Sequence, residues 1–218
     1  MQKSLAFYIV ISAMHIIFIS FQKEKLRRIS KVLIIPALIV FYLFSARSVY
    51  IFTVMALVFG WIGDILLINK RRRINFKLGL VAFLLGHICY IITFVNRLKI
   101  AASFEAPKFN MIAAFICIPL ALLAIIPLLK FIKPNKDMRL PVIVYILGIE
   151  TMCFMALEVF VCNPGLGEAI TLIGSIFFMT SDALLGHFTF GKYTRLGAVF
   201  IMVFYVLAQA CIITGLVL

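Results

Sequence analysis

Eight apolar stretches, most of them long enough to cross a membrane, occupy nearly the whole sequence and exclude most other architectures. A membrane-spanning helix needs about 20 mostly apolar residues. The 218 residues are 65% hydrophobic and 13% charged, whereas soluble domains are about 45–50% apolar and about 25% charged. We therefore predict an all-α, polytopic membrane helix bundle that forms a single transmembrane domain, residues 1–218. Its eight predicted spans are residues 4–21, 32–46, 48–68, 78–96, 110–129, 140–162, 168–190 and 196–218.

The basic residues are distributed unevenly between alternate loops. With eight spans, 16 of the 21 Lys and Arg residues fall on one side of the membrane and 5 on the other. Because cytoplasmic loops carry the excess of Lys and Arg, we predict that the basic loops are cytoplasmic and that both termini lie outside. The net charge of +13 then reflects the sorting of loops, and we expect no nucleic-acid partner. We expect a multi-pass protein of the bacterial cell (inner) membrane; its oligomeric state is left open.

Neither processing nor cysteine chemistry is indicated. The first apolar run lacks a small-residue cleavage site, and its basic cluster follows it rather than precedes it, so it does not have the pattern of a cleavable signal peptide. The five Cys residues form no Cys-x-x-Cys pair and lie in or beside apolar runs. Buried apolar Cys is the ordinary interpretation of such residues, and we expect no metal and no cofactor.

Ionisable side chains inside the predicted spans indicate where a functional site lies, because such groups are costly in a bilayer. Within the predicted orientation, polar groups from five different spans lie in the cytoplasmic half or near the midplane. They are Lys31, Asp64, His87, Tyr145 and Asp182. The remaining candidates are His15, Glu150, Glu158 and, near a span end, His187.

Helical phase adds detail to this set. Gly60 and Gly63 adjoin Asp64, and small residues let helix backbones approach closely, so Asp64 is predicted to face packed protein. Glu150 and Glu158 lie on roughly the opposite face of the sixth span from Tyr145. They are therefore predicted to face other surroundings than Tyr145 does.

Five short motifs in order along the chain resemble segments of the lysoplasmalogenase-like (YhhN) family. They cover about residues 31 to 190, whereas the first and last spans resemble those of the family only in being apolar spans. Val32 follows Lys31, where the family usually has Pro, and the resemblance assigns no role to Glu150. The motifs are Lys31 with Pro36, Gly60-Trp-Ile-Gly-Asp64-Ile-Leu-Leu67, Gly79 to His87 and Tyr90, Pro141 to Tyr145 and Met152, and Gly174 to Ser181, Asp182 and Leu185.

The resemblance implies hydrolysis of the vinyl ether bond of lysoplasmalogens to a fatty aldehyde and a glycerophospho-alcohol. We hypothesise that Asp64 and Asp182 are the acid and base pair, in an unassigned order. The side chains expected to orient them or the substrate are His87, Tyr90, Tyr145 and Ser181. Lys31, with the basic loop 70–77, is expected to hold the phosphate of a lysophospholipid drawn from the membrane lipids.

This chemistry suits two carboxyl groups. A vinyl ether is hydrolysed by protonation at carbon, which gives an oxocarbenium ion that water then traps. The reaction needs a proton donor, a negative group near the cation and a positioned water. Two carboxyl groups in different environments supply an acid and a base in the same way in glycosidases.

Three other classes of function fit membrane Asp residues. A transporter of small molecules or lipids would use Asp64 and Asp182 as proton or cation sites. An intramembrane aspartyl protease also uses two membrane Asp residues. Its Gly-x-Gly-Asp signature is absent, because Trp61 stands where the first Gly before Asp64 would be. A structural or regulatory membrane protein would have no active site. Aldehyde release from a lysoplasmalogen distinguishes the hydrolase from all three.

Overall fold

The computed structural model describes residues 2–68, 73–101 and 110–218, and this part of the chain is all helical. The apolar runs form helices because a helix satisfies every backbone polar group within one segment. The eight helices are α1 (Gln2–Ser20), α2 (Glu24–Ser45), α3 (Ile51–Ile68), α4 (Arg73–Ala101), α5 (Met111–Ile132), α6 (Lys136–Cys162), α7 (Leu166–Phe190) and α8 (Arg195–Val217).

Six of these helices are long and apolar enough to cross a membrane: α2, α3, α4, α6, α7 and α8. Helices α1 and α5 contain shorter apolar segments, Ser4–Ser20 and Ile118–Ile132. Large apolar side chains cover the outside of the bundle, including Phe44 and Phe115, each about 80% exposed. The chain is therefore an integral, multi-pass membrane protein.

Helices α2, α4 and α6 are longer than the apolar runs that predict them. Helix α2 begins at Glu24 rather than at residue 32, α4 begins at Arg73 rather than 78, and α6 begins at Lys136 rather than 140. In each case a basic segment continues the helix beyond its apolar part. We call this end of the bundle, where α2, α4, α6 and α8 begin and α1, α3, α5 and α7 end, the basic end.

Seven helices form a closed ring, and α5 lies outside it. Following the packing contacts, the order is α1, α2, α3, α4, α6, α7, α8 and again α1. The Tyr8 hydroxyl on α1 donates to the Val206 carbonyl on α8 at 2.7 Å and helps to close the ring. Helix α5 packs against α6 and α7 only, among the described residues, and exposes most of its large side chains.

Close helix pairs in the ring depend on glycine. A Cβ atom added at Gly174 on α7 would lie 2.7 Å from the Ile212 nitrogen and 2.9 Å from the Ala208 carbonyl oxygen, both on α8. A Cβ atom at Gly86 on α4 would lie 3.2 Å from the Ala56 carbonyl oxygen on α3. Small residues at these contacts let the helix backbones approach closely, which is how helices associate in a membrane.

Polar side chains rather than backbone contacts join α8 to α3 and α4 across the centre of the ring. The Tyr205 hydroxyl donates to Asp64, and the Tyr90 hydroxyl donates to Gln209. All four side chains are almost completely buried. The interior of the ring therefore holds hydrogen-bonded polar groups, among them the candidates Asp64 and Tyr90.

Candidate active site

Asp64 on α3 lies inside the ring, between α2 and α8. Its Oδ1 is 3.3 Å from the Lys31 Nζ, and its Oδ2 accepts a hydrogen bond of 2.6 Å from the Tyr205 hydroxyl. Asp64 is only 2% exposed. A buried ion pair is favourable only when the remaining polar positions are also hydrogen-bonded. Here both carboxyl oxygens have a partner, and we call Lys31, Asp64 and Tyr205 the Asp64 cluster.

Asp182 on α7 belongs to a second group of contacts, with His87 on α4 and Tyr145 on α6. The Tyr145 hydroxyl donates to the Asp182 Oδ2. The His87 Nε2 lies 3.0 Å from the Tyr145 oxygen and 3.9 Å from the Asp182 Oδ2. We call these three residues the Asp182 cluster.

The hydrogen-bond pattern assigns a proton in the Asp182 cluster. Tyr145 has one hydroxyl proton and gives it to Asp182, so the Tyr145 oxygen accepts from the Nε2–H of His87. The result is a chain of donors from His87 through Tyr145 to the carboxyl group, and each bond in such a chain polarises the next. An edge-to-face contact of 5.0 Å between the rings of Phe178 and His87 helps to hold the imidazole in place.

A cavity that is partly open to the exterior, with about 630 Å³ of space between atoms, lies beside the Asp182 cluster. Its walls come from α3, α4, α5, α6 and α7, and the only ionisable side chains that line it, within the described ranges, are Tyr145, Glu150 and Asp182. The other lining residues are apolar. Along α7 the lining extends from Met179 to Phe190 near the basic end, about 16 Å at the helical rise of 1.5 Å per residue. The cavity thus suits a long apolar group.

The two Asp residues differ in their access to this cavity. Asp182 lines it, with 10% of its side chain exposed, whereas Asp64 does not line it and its side chain is 3% exposed. One carboxyl group therefore meets the cavity directly, and the other lies behind it with its own partners.

Tyr90 and Ser181 contact neither carboxyl group. The Tyr90 hydroxyl donates to the Gln209 Oε1 at 2.9 Å, and the Ser181 hydroxyl donates to the Ile201 carbonyl at 3.1 Å. Both bonds join helices α4 and α7 to α8. These contacts are those of residues that hold the ring together around the site.

The predicted phosphate-binding residues have different surroundings. Lys31 pairs with Asp64 inside the bundle, as described above. In the basic loop 70–77, residues 70–72 lie outside the described residues. Arg73 and Lys77 lie in the first turns of α4, and the Arg73 Nη1 is 3.3 Å from the Asp137 Oδ2 at the surface. Arg73 and Lys77 flank Phe76, which lines the cavity.

Sequence reasoning did not identify Tyr205, and it assigned Glu150 to surroundings different from those of Tyr145. Tyr205 and Gln209 are spaced four residues apart on α8, which places two polar groups on one face of an apolar helix. That spacing is the signal that was available. Glu150 and Tyr145 both line the cavity, although they are separated by about 140° around α6, so the cavity covers a large part of that helix.

The described part of the chain contains no group of three or more His, Cys, Asp and Glu residues placed to hold a metal ion. In comparisons with known proteins, the model of the YhhN family matches residues 26–216, nearly the whole chain. No curated protein and no solved structure matches the chain.

Proposed function

The chain belongs to the YhhN family, and from this premise we propose that it is an intramembrane lipid hydrolase resembling lysoplasmalogenase. It cleaves the vinyl ether bond of lysoplasmalogens to a fatty aldehyde and a glycerophospho-alcohol. The proposal rests on one observation: the side chain of Asp182 lines an apolar cavity, and its carboxyl group accepts a hydrogen bond from Tyr145.

The first step is proton transfer from the Asp182 carboxyl group to the vinyl carbon that is not bonded to oxygen. The carbon–carbon double bond supplies the electron pair, and the positive charge develops on the neighbouring carbon and its ether oxygen. Asp182 becomes a carboxylate beside this oxocarbenium ion. Preorganised groups that stabilise charge where it develops are the largest source of catalysis in many enzymes.

His87 and Tyr145 position the Asp182 carboxyl group. After the proton has left, the donor chain from His87 through Tyr145 points at a carboxylate. Hydrogen bonds to ionised groups are stronger than those between neutral groups. The Asp182 cluster therefore favours the state in which the proton has been delivered, which lowers the barrier for the first step.

Asp64 acts through its surroundings rather than on the substrate, because both of its oxygens already have protein partners. We propose that the ion pair between Lys31 and Asp64 fixes α2, α3 and α8 behind the cavity and sets the local field at Asp182. The same observation favours Arg73 and Lys77, beside the cavity lining, over Lys31 as the groups that attract the lipid phosphate. Exposed basic residues near a membrane surface attract anionic headgroups.

We propose that all eight helices cross the membrane, with both termini outside and the basic end in the cytoplasm. The cavity is then nearest to the cytoplasmic face, and its apolar walls receive the alkyl chain of a single-chain lipid from the surrounding bilayer. The location we propose is the inner membrane of a bacterium.

The experiment is to incubate the purified protein, in detergent micelles made in D₂O, with a vinyl ether lysophospholipid and to trap the aldehyde as a hydrazone. The expected product carries one deuterium on the carbon next to the carbonyl, because that carbon receives the transferred proton. The matched saturated ether lipid should release no aldehyde. Absence of aldehyde from the vinyl ether would contradict the proposal. Uptake of the lipid into vesicles without turnover would instead favour the transporter.

A further inference from the structure

Glu150 on α6 is an exception among the acidic residues inside the bundle. It lines the cavity, yet its buried Oε2 has no hydrogen-bond partner among the described residues. Asp64 and Asp182 each have a donor, from Lys31 and from Tyr145. The Glu158 Oε1 is also buried without a partner, but Glu158 does not line the cavity and its Oε2 accepts from the Asn110 N–H. Burying a carboxyl group without a partner costs free energy. Glu150 therefore has an acceptor oxygen without a partner at the wall of an apolar cavity.

Glu150 and Asp182 line the same cavity. Glu150 lies on α6, five residues after Tyr145, whose hydroxyl donates to the Asp182 carboxyl group. An acid and a base that act on one substrate must both reach it, and the shared cavity allows this for Asp182 and Glu150.

We propose that Glu150 is the general base that binds the attacking water and removes its proton. The proposal rests on the proposed hydrolase function, and it assigns the base to Glu150 rather than to Asp64. Asp64 has no free oxygen and does not line the cavity. Glu150, in contrast, has an oxygen without a partner and lines the cavity. The ligand of this position is water, held by the carboxylate at the wall of a cavity that otherwise repels it.

The reaction is balanced with these two carboxyl groups. Asp182 gives its proton to the vinyl carbon and becomes ionised. Water attacks the oxocarbenium carbon, a new carbon–oxygen bond forms, and Glu150 takes one proton from the water to leave a hemiacetal. In the last step Glu150 returns that proton to the glycerol oxygen as its bond to carbon breaks. The hemiacetal hydroxyl loses its proton to Asp182 as it becomes the aldehyde, so both groups regain their starting states.

A base that acts only on water leaves a specific signature when it is removed. Without it, the oxocarbenium ion forms but is trapped slowly, so it returns to the vinyl ether when the protonated carbon gives a proton back to the Asp182 carboxylate. In D₂O that carbon carries one deuterium and one protium, and each reversal that removes the protium leaves deuterium in the unreacted substrate at that vinyl carbon. Loss of the acid, in contrast, prevents the oxocarbenium ion from forming and gives no exchange.

The experiment compares Glu150→Gln, Asp182→Asn and the control Glu24→Gln, an acidic residue that pairs with Arg27 outside the cavity. Each is incubated with the vinyl ether lysophospholipid in D₂O, and the aldehyde and recovered substrate are analysed by mass spectrometry. For Glu150→Gln we expect aldehyde release to fall by about 10²–10⁴-fold, the usual effect of losing a general base, with deuterium in the recovered substrate. Asp182→Asn should give neither product nor exchange, and Glu24→Gln should behave as the wild type.

Two results would overturn the proposal. The first is aldehyde release at the wild-type rate from Glu150→Gln. The second is slow release without deuterium in the recovered substrate, because the residue would then act before or during protonation. Since no described partner is lost, Glu150→Gln should also melt no lower than the wild type. A wild-type protein that releases no aldehyde would refute the hydrolase function itself, a result distinct from both.

Discussion

The buried ion pair between Lys31 and Asp64 predicts a strong energetic coupling that can be measured. The two charges are 3.3 Å apart, with side chains 12% and 3% exposed. Their Coulomb attraction is about 5 kcal/mol at an effective dielectric constant of about 20. Removing one partner of a buried pair typically destabilises a protein by about 3–5 kcal/mol, because it leaves the other charge uncompensated.

We expect Lys31→Met and Asp64→Asn each to lose about 3–5 kcal/mol of unfolding free energy. The double variant buries no unpaired charge, so its loss should be smaller than the sum of the two single losses by several kcal/mol. The assay is a double-mutant cycle by reversible unfolding in mixed detergent and dodecyl sulfate micelles. Additive losses in the double variant would refute the interpretation of Lys31 as the partner of Asp64.

The chain contains a matched control for this cycle. Arg73 and Asp137 are also 3.3 Å apart, but their side chains are 77% and 45% exposed. Exposed ion pairs usually contribute about 0–1 kcal/mol. The cycle of Arg73→Met and Asp137→Asn should therefore show a coupling below about 1 kcal/mol, and a coupling as large as that of the buried pair would contradict the role given to burial.

Three further perturbations test other parts of the structure. Ala183→Phe should fill the cavity and raise KM or abolish aldehyde release, whereas Ile176→Phe, on the exposed face of the same helix, should leave turnover unchanged. Tyr145→Phe removes a hydrogen bond to a charged group, worth about 1.5–3 kcal/mol, and should lower kcat by about 10–100-fold in steady-state kinetics. Gly174→Ala should destabilise the protein by about 1–3 kcal/mol through backbone crowding, whereas Gly60→Ala, where the nearest atom is 3.6 Å away, should melt within a degree or two of the wild type.

The sequence predicts the helices well because each apolar run must satisfy its backbone polar groups within one segment. Every predicted span corresponds to one helix of the described structure. The extents of α2, α4 and α6 were predicted too short, since hydropathy detects the apolar part of a helix and not its polar continuation. The break between α2, which ends at Ser45, and α3, which begins at Ile51, falls where the predicted spans 32–46 and 48–68 meet.

The contacts within the site were less predictable than its members. Depth along each span correctly brings Lys31 to the level of Asp64, and Tyr145 to that of Asp182. Depth does not indicate which helices are neighbours in the ring. From the sequence, therefore, the Asp64 cluster and the Asp182 cluster could not be recognised as two separate groups, and the Lys31–Asp64 ion pair could not be placed outside the cavity lining. The position of α5 outside the ring could not be inferred either, because periodicity describes one helix at a time.

The role of Asp182 as the proton donor is tested most directly by comparing the rates of aldehyde release by the wild type, Asp182→Asn and Glu24→Gln. We expect no aldehyde from Asp182→Asn, which keeps the shape of the side chain and the fold but carries no transferable carboxyl proton. Glu24→Gln, the corresponding change from acid to amide outside the cavity, should release aldehyde at the wild-type rate. Release at the wild-type rate by a folded Asp182→Asn would show that Asp182 is not the proton donor.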